Sequence, residues 1–83
     1  MYQVVVERNA QKQLAQIPQP YFGKIVWALK GLATNPRPVG YKKLKGRPGY
    51  RVRVANYRII YNIKYNILTV YVLLIGNRKD IYD

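Results

Sequence analysis

The sequence predicts an α+β domain in the order β-α-α-β-β-β, an antiparallel sheet with a helical hairpin packed on one face. Apolar residues recur at helical spacing through the first half, and the period switches to two beyond Gly40. A nearly continuous apolar run, Ile67 to Ile75, follows close to the C-terminus. With 83 residues the chain is read as one domain, 1–83, whose core is marginal unless it is well packed or partly covered by a partner.

The elements follow in order. Tyr2 to Val6 is β-branched and reads as a first strand, and Asn9 is placed to cap a helix over Ala10 to Ile17, where Ala10, Leu14 and Ile17 share a face. Pro18 and Pro20 end that segment and suit the opening turn of a second helix, Gln19 to Ala33. Phe22, Ile25, Val26, Leu29 and Leu32 form its apolar stripe, and Asn35-Pro36-Arg37-Pro38 stops it. Tyr50, Val52 and Val54 then alternate with Arg51 and Arg53, which describes a strand with one apolar and one cationic face. Ala55 and Asn56 make a tight turn into Tyr57 to Lys64, with Ile59, Tyr61 and Ile63 on one side and Arg58, Ile60, Asn62 and Lys64 on the other. Tyr65-Asn66 turns the chain again into Ile67 to Ile75, a strand apolar enough to be central or covered on both faces. Gly76 to Asp83 is short and polar.

Charge narrows the function. The chain has 15 basic and 3 acidic residues, a formal charge of +12, which favours association with an acidic macromolecule. From Arg37 to Lys64 there are nine Lys or Arg residues and no Asp or Glu, interleaved with Tyr41, Tyr50, Tyr57 and Tyr61. Cations meet phosphates and aromatic rings stack on unpaired bases, so this mixture points to single-stranded or ribosomal RNA. If the apolar alternate positions pack under the helices, Arg51, Arg53 and Arg58 emerge together on the open face, on strands about 4.8 Å apart. Lys42, Lys43, Lys45 and Arg47 flank a Gly/Pro loop and read as general phosphate contacts or as simple solubilisers, rather than as catalytic groups. Tyr2, Tyr50, Tyr57, Tyr61 and Tyr71 read as core or edge packing with hydroxyls reaching water, Trp27 as a core residue or partner-facing anchor, and Tyr82, in the polar tail, as a functional or a packing residue.

The absent residue types are equally informative. There is no His, Cys or Ser, and the carboxylates are Glu7, Asp80 and Asp83, so disulfides, thiolate metal sites, a Ser or Cys nucleophile and a carboxylate dyad are all excluded or disfavoured. No apolar run is long enough to span a bilayer, and no metal or small-molecule cofactor is expected. The location expected is cytoplasmic.

Leu44-Lys45-Gly46, Tyr50-Arg51-Val52-Arg53-Val54, Asn56-Tyr57-Arg58-Ile59-Ile60-Tyr61 and Ile75-Gly76-Asn77-Arg78-Lys79-Asp80-Ile81-Tyr82 closely resemble, in that order, the RelE branch of the RelE/ParE toxin superfamily. The resemblance extends over essentially the whole chain. It implies a ribosome-dependent messenger endoribonuclease, the toxin of a type II toxin-antitoxin pair, held silent by an acidic RelB-like antitoxin. It also implies that Arg51 and Arg53 are the basic strand pair, Arg58 the arginine of Tyr-Arg-x-x-Tyr, Arg78 the arginine after the last strand and Tyr82 the terminal tyrosine. Lys79 beside Arg78 joins the RNA- or ribosome-binding cations. Asn77 stands where the family commonly has His or Lys.

A mechanism without protein nucleophiles fits this set, because RNA carries its own: the 2′-hydroxyl attacks the adjacent phosphate, leaving a cyclic phosphate and releasing a 5′-hydroxyl. Arginines would stabilise the added charge of the transition state, and Tyr82 would serve as base if neighbouring guanidinium charge lowers its pKa. Two other readings share the scaffold: a ParE-like inhibitor of DNA gyrase, and a non-catalytic RNA-binding module.

Overall fold

The structure, a computed structural model, describes residues 1–79. Its elements are β1 (Gln3–Val6), α1 (Arg8–Ala15), α2 (Tyr21–Thr34), β2 (Lys42–Lys43), β3 (Tyr50–Val54), β4 (Tyr57–Lys64), a 3₁₀ turn (Tyr65–Ile67) and β5 (Thr69–Asn77). The five strands form one sheet in the order β1-β5-β4-β3-β2. Both helices lie on one face of it, as the sequence predicts.

Two features differ from the expected antiparallel sheet of four strands. The sheet is mixed: β1 pairs in parallel with β5, Val4 opposite Val70 and Val6 opposite Val72. A parallel neighbour needs a long crossover, and the two helices between β1 and β2 supply it. The short strand β2 also adds an outer edge, Lys42 opposite Arg51 and Lys43 opposite Tyr50, so β3 is an interior strand.

The inner face is built by the predicted alternation. Ala10, Ile17, Ile25, Leu29 and Leu32 from the helical side meet Val52, Ile59, Tyr61, Ile63, Val70, Val72 and Ile75 from the sheet. Full burial of each such aliphatic side chain contributes roughly 1.5–3 kcal/mol, which is what a chain this short needs. Val70 and Val72 are two apart, yet Ile75, three further on, faces the same core. A bulge between Ile60 and Tyr61 on the β4–β5 ladder absorbs the extra residue, Leu73. On the outer face Leu44 and Ile60 are buried, with Leu73 and Leu74 packed against them. The apolar run is therefore covered on both sides, with Leu44 from the β2–β3 loop acting as the outer cover.

Several boundaries move for identifiable reasons. Asn9 lies inside α1, and Glu7 holds the N-cap position without a side-chain cap bond. The Gln11 amide instead donates to the Val6 carbonyl at 2.7 Å and ties the helix start to β1. β5 begins at Thr69, because Leu68 adopts a left-handed φ of 48° after the 3₁₀ turn and the Thr69 hydroxyl donates to the Ile67 carbonyl at 2.9 Å. Past the end of β1, the Ile75 N–H on β5 has no strand beside it and donates to Gln13 Oε1 of α1 at 2.8 Å. An N–H stranded on that edge without the glutamine would be a buried donor lacking a partner.

Candidate functional site

The outer face carries the cations. Across the β3–β4 ladder Arg53 stands directly opposite Arg58, and Arg51 opposite Ile60. Arg58 in turn faces Gly76 of β5, a residue with no side chain to cover it. Directly opposed residues have Cβ atoms about 5 Å apart, so the Arg53 and Arg58 side chains start from one spot. Like charges so placed repel, and a bound anion offsets that repulsion.

The hairpin turn brings in Arg78. Ala55 and Asn56 form the expected turn, with Ala55 at a left-handed φ of 54°. The Arg78 N–H donates to the Asn56 carbonyl at 2.8 Å, which extends the β4–β5 ladder one step and fixes the start of the C-terminal segment beside the turn linking Arg53 and Arg58. Asn77 Oδ1 accepts from the Lys79 N–H at 3.1 Å, an Asx-type bond that shapes the turn carrying Arg78 and Lys79. Asn56, Asn77, Arg78 and Lys79 line a cleft of about 450 Å³. In the sequence Asn56 is a turn residue opening one family-like motif, and Asn77 a departure from the family within another. Asn in two consecutive turn contexts was the available signal.

Arg51 differs from its expectation. It lies on the predicted face but is 8 % exposed, flanked by Lys42 on β2 and Ile60 on β4. The added edge strand and the Leu44 cover account for this, since they make β3 an interior strand. Arg53 and Arg78 are exposed and Arg58 half-buried. Lys42, Lys43, Lys45 and Arg47 are exposed along β2 and its following loop, and Lys79 beside Arg78. The loop returns through Gly49, whose φ of 117° excludes ordinary side chains and whose carbonyl accepts from the Leu44 N–H at 3.0 Å. Tyr82, Asp80, Ile81 and Asp83 lie outside the described residues.

The tyrosines are sorted by the inner face. Tyr61, the second tyrosine of Tyr-Arg-x-x-Tyr, is fully buried, and its hydroxyl donates to the Pro36 carbonyl at 2.8 Å instead of reaching water. Burial, then the neighbouring Tyr41, Tyr50 and Tyr65, raise its pKa well above the ordinary 10.0, so it remains a neutral structural phenol. Tyr57, the first tyrosine of that motif, packs on Tyr21 with ring centroids 5.6 Å apart. Trp27 is 78 % exposed on α2, which removes it from the core. Among the described residues no helix is long and apolar enough to cross a membrane.

A strongly basic domain with a helical hairpin on one sheet face and arginines near a hairpin turn on the other defines an α+β class with a cationic outer sheet face. The chain matches the family described as ParE toxin of type II toxin-antitoxin system, parDE, over residues 4–82, and it belongs to that RelE/ParE superfamily of toxins. Solved structures agree on the RelE architecture. The RelE-RelB complex of the archaeon Pyrococcus horikoshii OT3 is similar at a TM-score of 0.83 and 23 % identity, covering 96 % of this chain and 98 % of that one. RelBE2 of Mycobacterium tuberculosis gives 0.80 at 25 % identity, covering 93 % and 98 %. The RelB-RelE complex of Methanococcus jannaschii gives 0.74 at 26 % identity, covering 95 % of each chain. No curated protein matches the chain.

Proposed function

We propose that this toxin is a metal-independent endoribonuclease that cleaves messenger RNA in the ribosomal A site and so arrests translation. The observation that carries the proposal is the direct opposition of Arg53 and Arg58, with Arg78 tethered through its N–H to the turn between them. The proposed role of these three cations is to hold a phosphodiester, on a chain with no Ser, Cys or His to attack it.

The RNA supplies the nucleophile. Its 2′-hydroxyl oxygen attacks the adjacent phosphorus, the bond to the 5′-oxygen breaks, and the products are a 2′,3′-cyclic phosphate and a 5′-hydroxyl. The proton lost from the 2′-hydroxyl goes to a base, for which Tyr82 is the proposed group, and the departing 5′-oxygen takes a proton from water or from a cationic neighbour. Arg53, Arg58 and Arg78 stabilise the charge growing on the non-bridging oxygens, an effect of about 2.7–4 kcal/mol per well-placed donor. Arg51, nearly buried beside them, contributes field and orientation more than direct contact. Lys42, Lys43, Lys45, Arg47 and Lys79 surround that centre as contacts for RNA and ribosome. The ribosome adds the conformation of the messenger, since in-line geometry itself is a large part of the barrier.

The proposed silencing partner is an acidic antitoxin, as charge complementarity to a +12 chain requires and as the RelE-RelB complexes illustrate for their own toxins. The match to the ParE description favours a second reading, inhibition of DNA gyrase without RNA cleavage. Mapping messenger ends after adding purified protein to programmed ribosomes separates the two. New 5′-hydroxyl ends within the A-site codon, absent with Arg53→Ala, support the nuclease. Intact messenger together with blocked supercoiling by gyrase would replace it.

A further inference from the structure

The arginine face leaves one aromatic feature unused. Tyr41, Tyr50 and Tyr61 form a row, with centroids 5.8 Å apart at the Tyr41–Tyr50 step and 5.9 Å at the Tyr50–Tyr61 step. The inner end is anchored by buried Tyr61 and its bond to Pro36. The outer end is open. Tyr41 is 36 % and Tyr65 45 % exposed. The Arg37 guanidinium lies 5.7 Å from the Tyr65 ring centroid, and the Tyr2 ring meets Tyr65 edge-on at 6.4 Å. Exposed rings held this firmly lose little further freedom when a flat ligand stacks on them.

The surroundings of the row identify the flat ligand. Tyr50 also lines a cleft of about 690 Å³ with Lys43 and Arg47. Edge strand β2 joins the two faces: Lys42 pairs with Arg51 on the arginine side, and Lys43 with Tyr50 on the tyrosine side. A polyanion leaving the arginine face over this edge therefore passes successive lysines and reaches the exposed rings. Along β3 the offset from Arg53 to Tyr50 is about 10 Å, to which the passage over the β2 edge adds. Nine cations and no acid between Arg37 and Lys64 complement a phosphate backbone, while aromatic faces complement bases of any sequence.

We infer that Tyr41 and Tyr65 form a base-stacking ledge for unpaired nucleotides of the same RNA strand whose phosphate lies on the arginine face, with Lys43 and Arg47 gripping the phosphates between. This rests on RNA being the ligand of the arginine face, and not on its being cut.

Fluorescence anisotropy with the full chain and a labelled single-stranded RNA of about ten nucleotides tests the ledge. Replacing both rings, Tyr41→Leu with Tyr65→Leu, is expected to weaken binding about tenfold or more with the salt slope unchanged, because no phosphate contact is removed. Tyr41→Phe with Tyr65→Phe keeps the rings and should keep the affinity. Lys43→Ala with Arg47→Ala should instead flatten the salt slope. Parental binding by the leucine variant, or equal losses with leucine and phenylalanine, would overturn the ledge. An acidic peptide that loses binding to the leucine variant while RNA does not would assign the rings to a protein partner and likewise overturn it. If Arg53→Ala and Arg58→Ala leave RNA binding intact while the leucine variant weakens it, the rings hold RNA but the arginine-face reading falls, and with it the inference that one strand joins the two. Should the leucine variant fail to fold, ring-proton shifts of the unaltered protein on adding the RNA decide: movement at Tyr41 and Tyr65 supports the ledge, and movement confined to other residues overturns it.

Discussion

Arg53 and Arg58 face each other across the β3–β4 ladder, a pairing that opposes two like charges on a sheet whose stability is already limited by chain length. A directly opposed like-charge pair is destabilising by up to about 1 kcal/mol unless neighbouring groups or a bound anion offset it.

Arg53→Gln is accordingly expected to separate activity from stability. Messenger cleavage should fall by about 10²–10³, while the thermal midpoint stays the same or rises slightly as repulsion is relieved. Cleavage assays and a melting curve on the same preparation check both halves. A large loss of stability would show Arg53 to be a structural residue.

Tyr61→Phe removes one hydroxyl and leaves the Pro36 carbonyl, which lies two residues past the end of α2, without its donor. The expected cost is about 1–3 kcal/mol in urea unfolding. Because burial raises the folded-state pKa of Tyr61, its contribution is fully present below the unfolded value near pH 10 and is lost as pH climbs toward the folded value. The parent protein should therefore weaken at alkaline pH through this group, and the phenylalanine variant should show a shallower alkaline limb.

Ala55 occupies a left-handed conformation, φ 54°, in the turn beside the arginine pair. That backbone costs an L-residue about 1–2 kcal/mol, more than glycine loses in chain entropy. Ala55→Gly should raise stability by roughly 0.5–1 kcal/mol, measured by chemical denaturation. Its effect on cleavage reports how tightly the turn must be held.

Gly49 tests the outer cover. A Cβ there would sit 3.1 Å from the Tyr61 carbonyl oxygen and 3.3 Å from Leu44 Cδ1, at a φ of 117°. Gly49→Ala should cost about 1–3 kcal/mol through strain and displacement of Leu44, and hydrogen exchange should speed up in β3 and the outer part of β4.

Much of this was legible in the chain. The period-two pattern placed Arg53 and Arg58 on one face and Ile59, Tyr61 and Ile63 on the other, because side-chain alternation is a local property of extended backbone. The helical stripe of α2 and the Ala55-Asn56 turn were equally local. The parallel β1–β5 pairing was not legible, since it joins residues at opposite ends of the chain and depends on a crossover. Neither was β2, two lysines long with no pattern of its own. That short strand is why Arg51 is nearly buried, and why Tyr50 gains Lys43 as its cross-strand neighbour.

The sequence by itself determined the α+β class and a strongly basic sheet face, because composition and periodicity act through nearest neighbours, and its ordered motifs carried the resemblance to the toxin superfamily. Tertiary structure alone decided that Arg78 is anchored at the Asn56 turn, that Tyr61 is sealed against Pro36, that Tyr41 stays open at the end of a packed aromatic row, and that Tyr65 stays exposed beside Tyr2 and Arg37. Each of these joins segments distant in the sequence, whose meeting is fixed by strand register, the Leu73 bulge and burial.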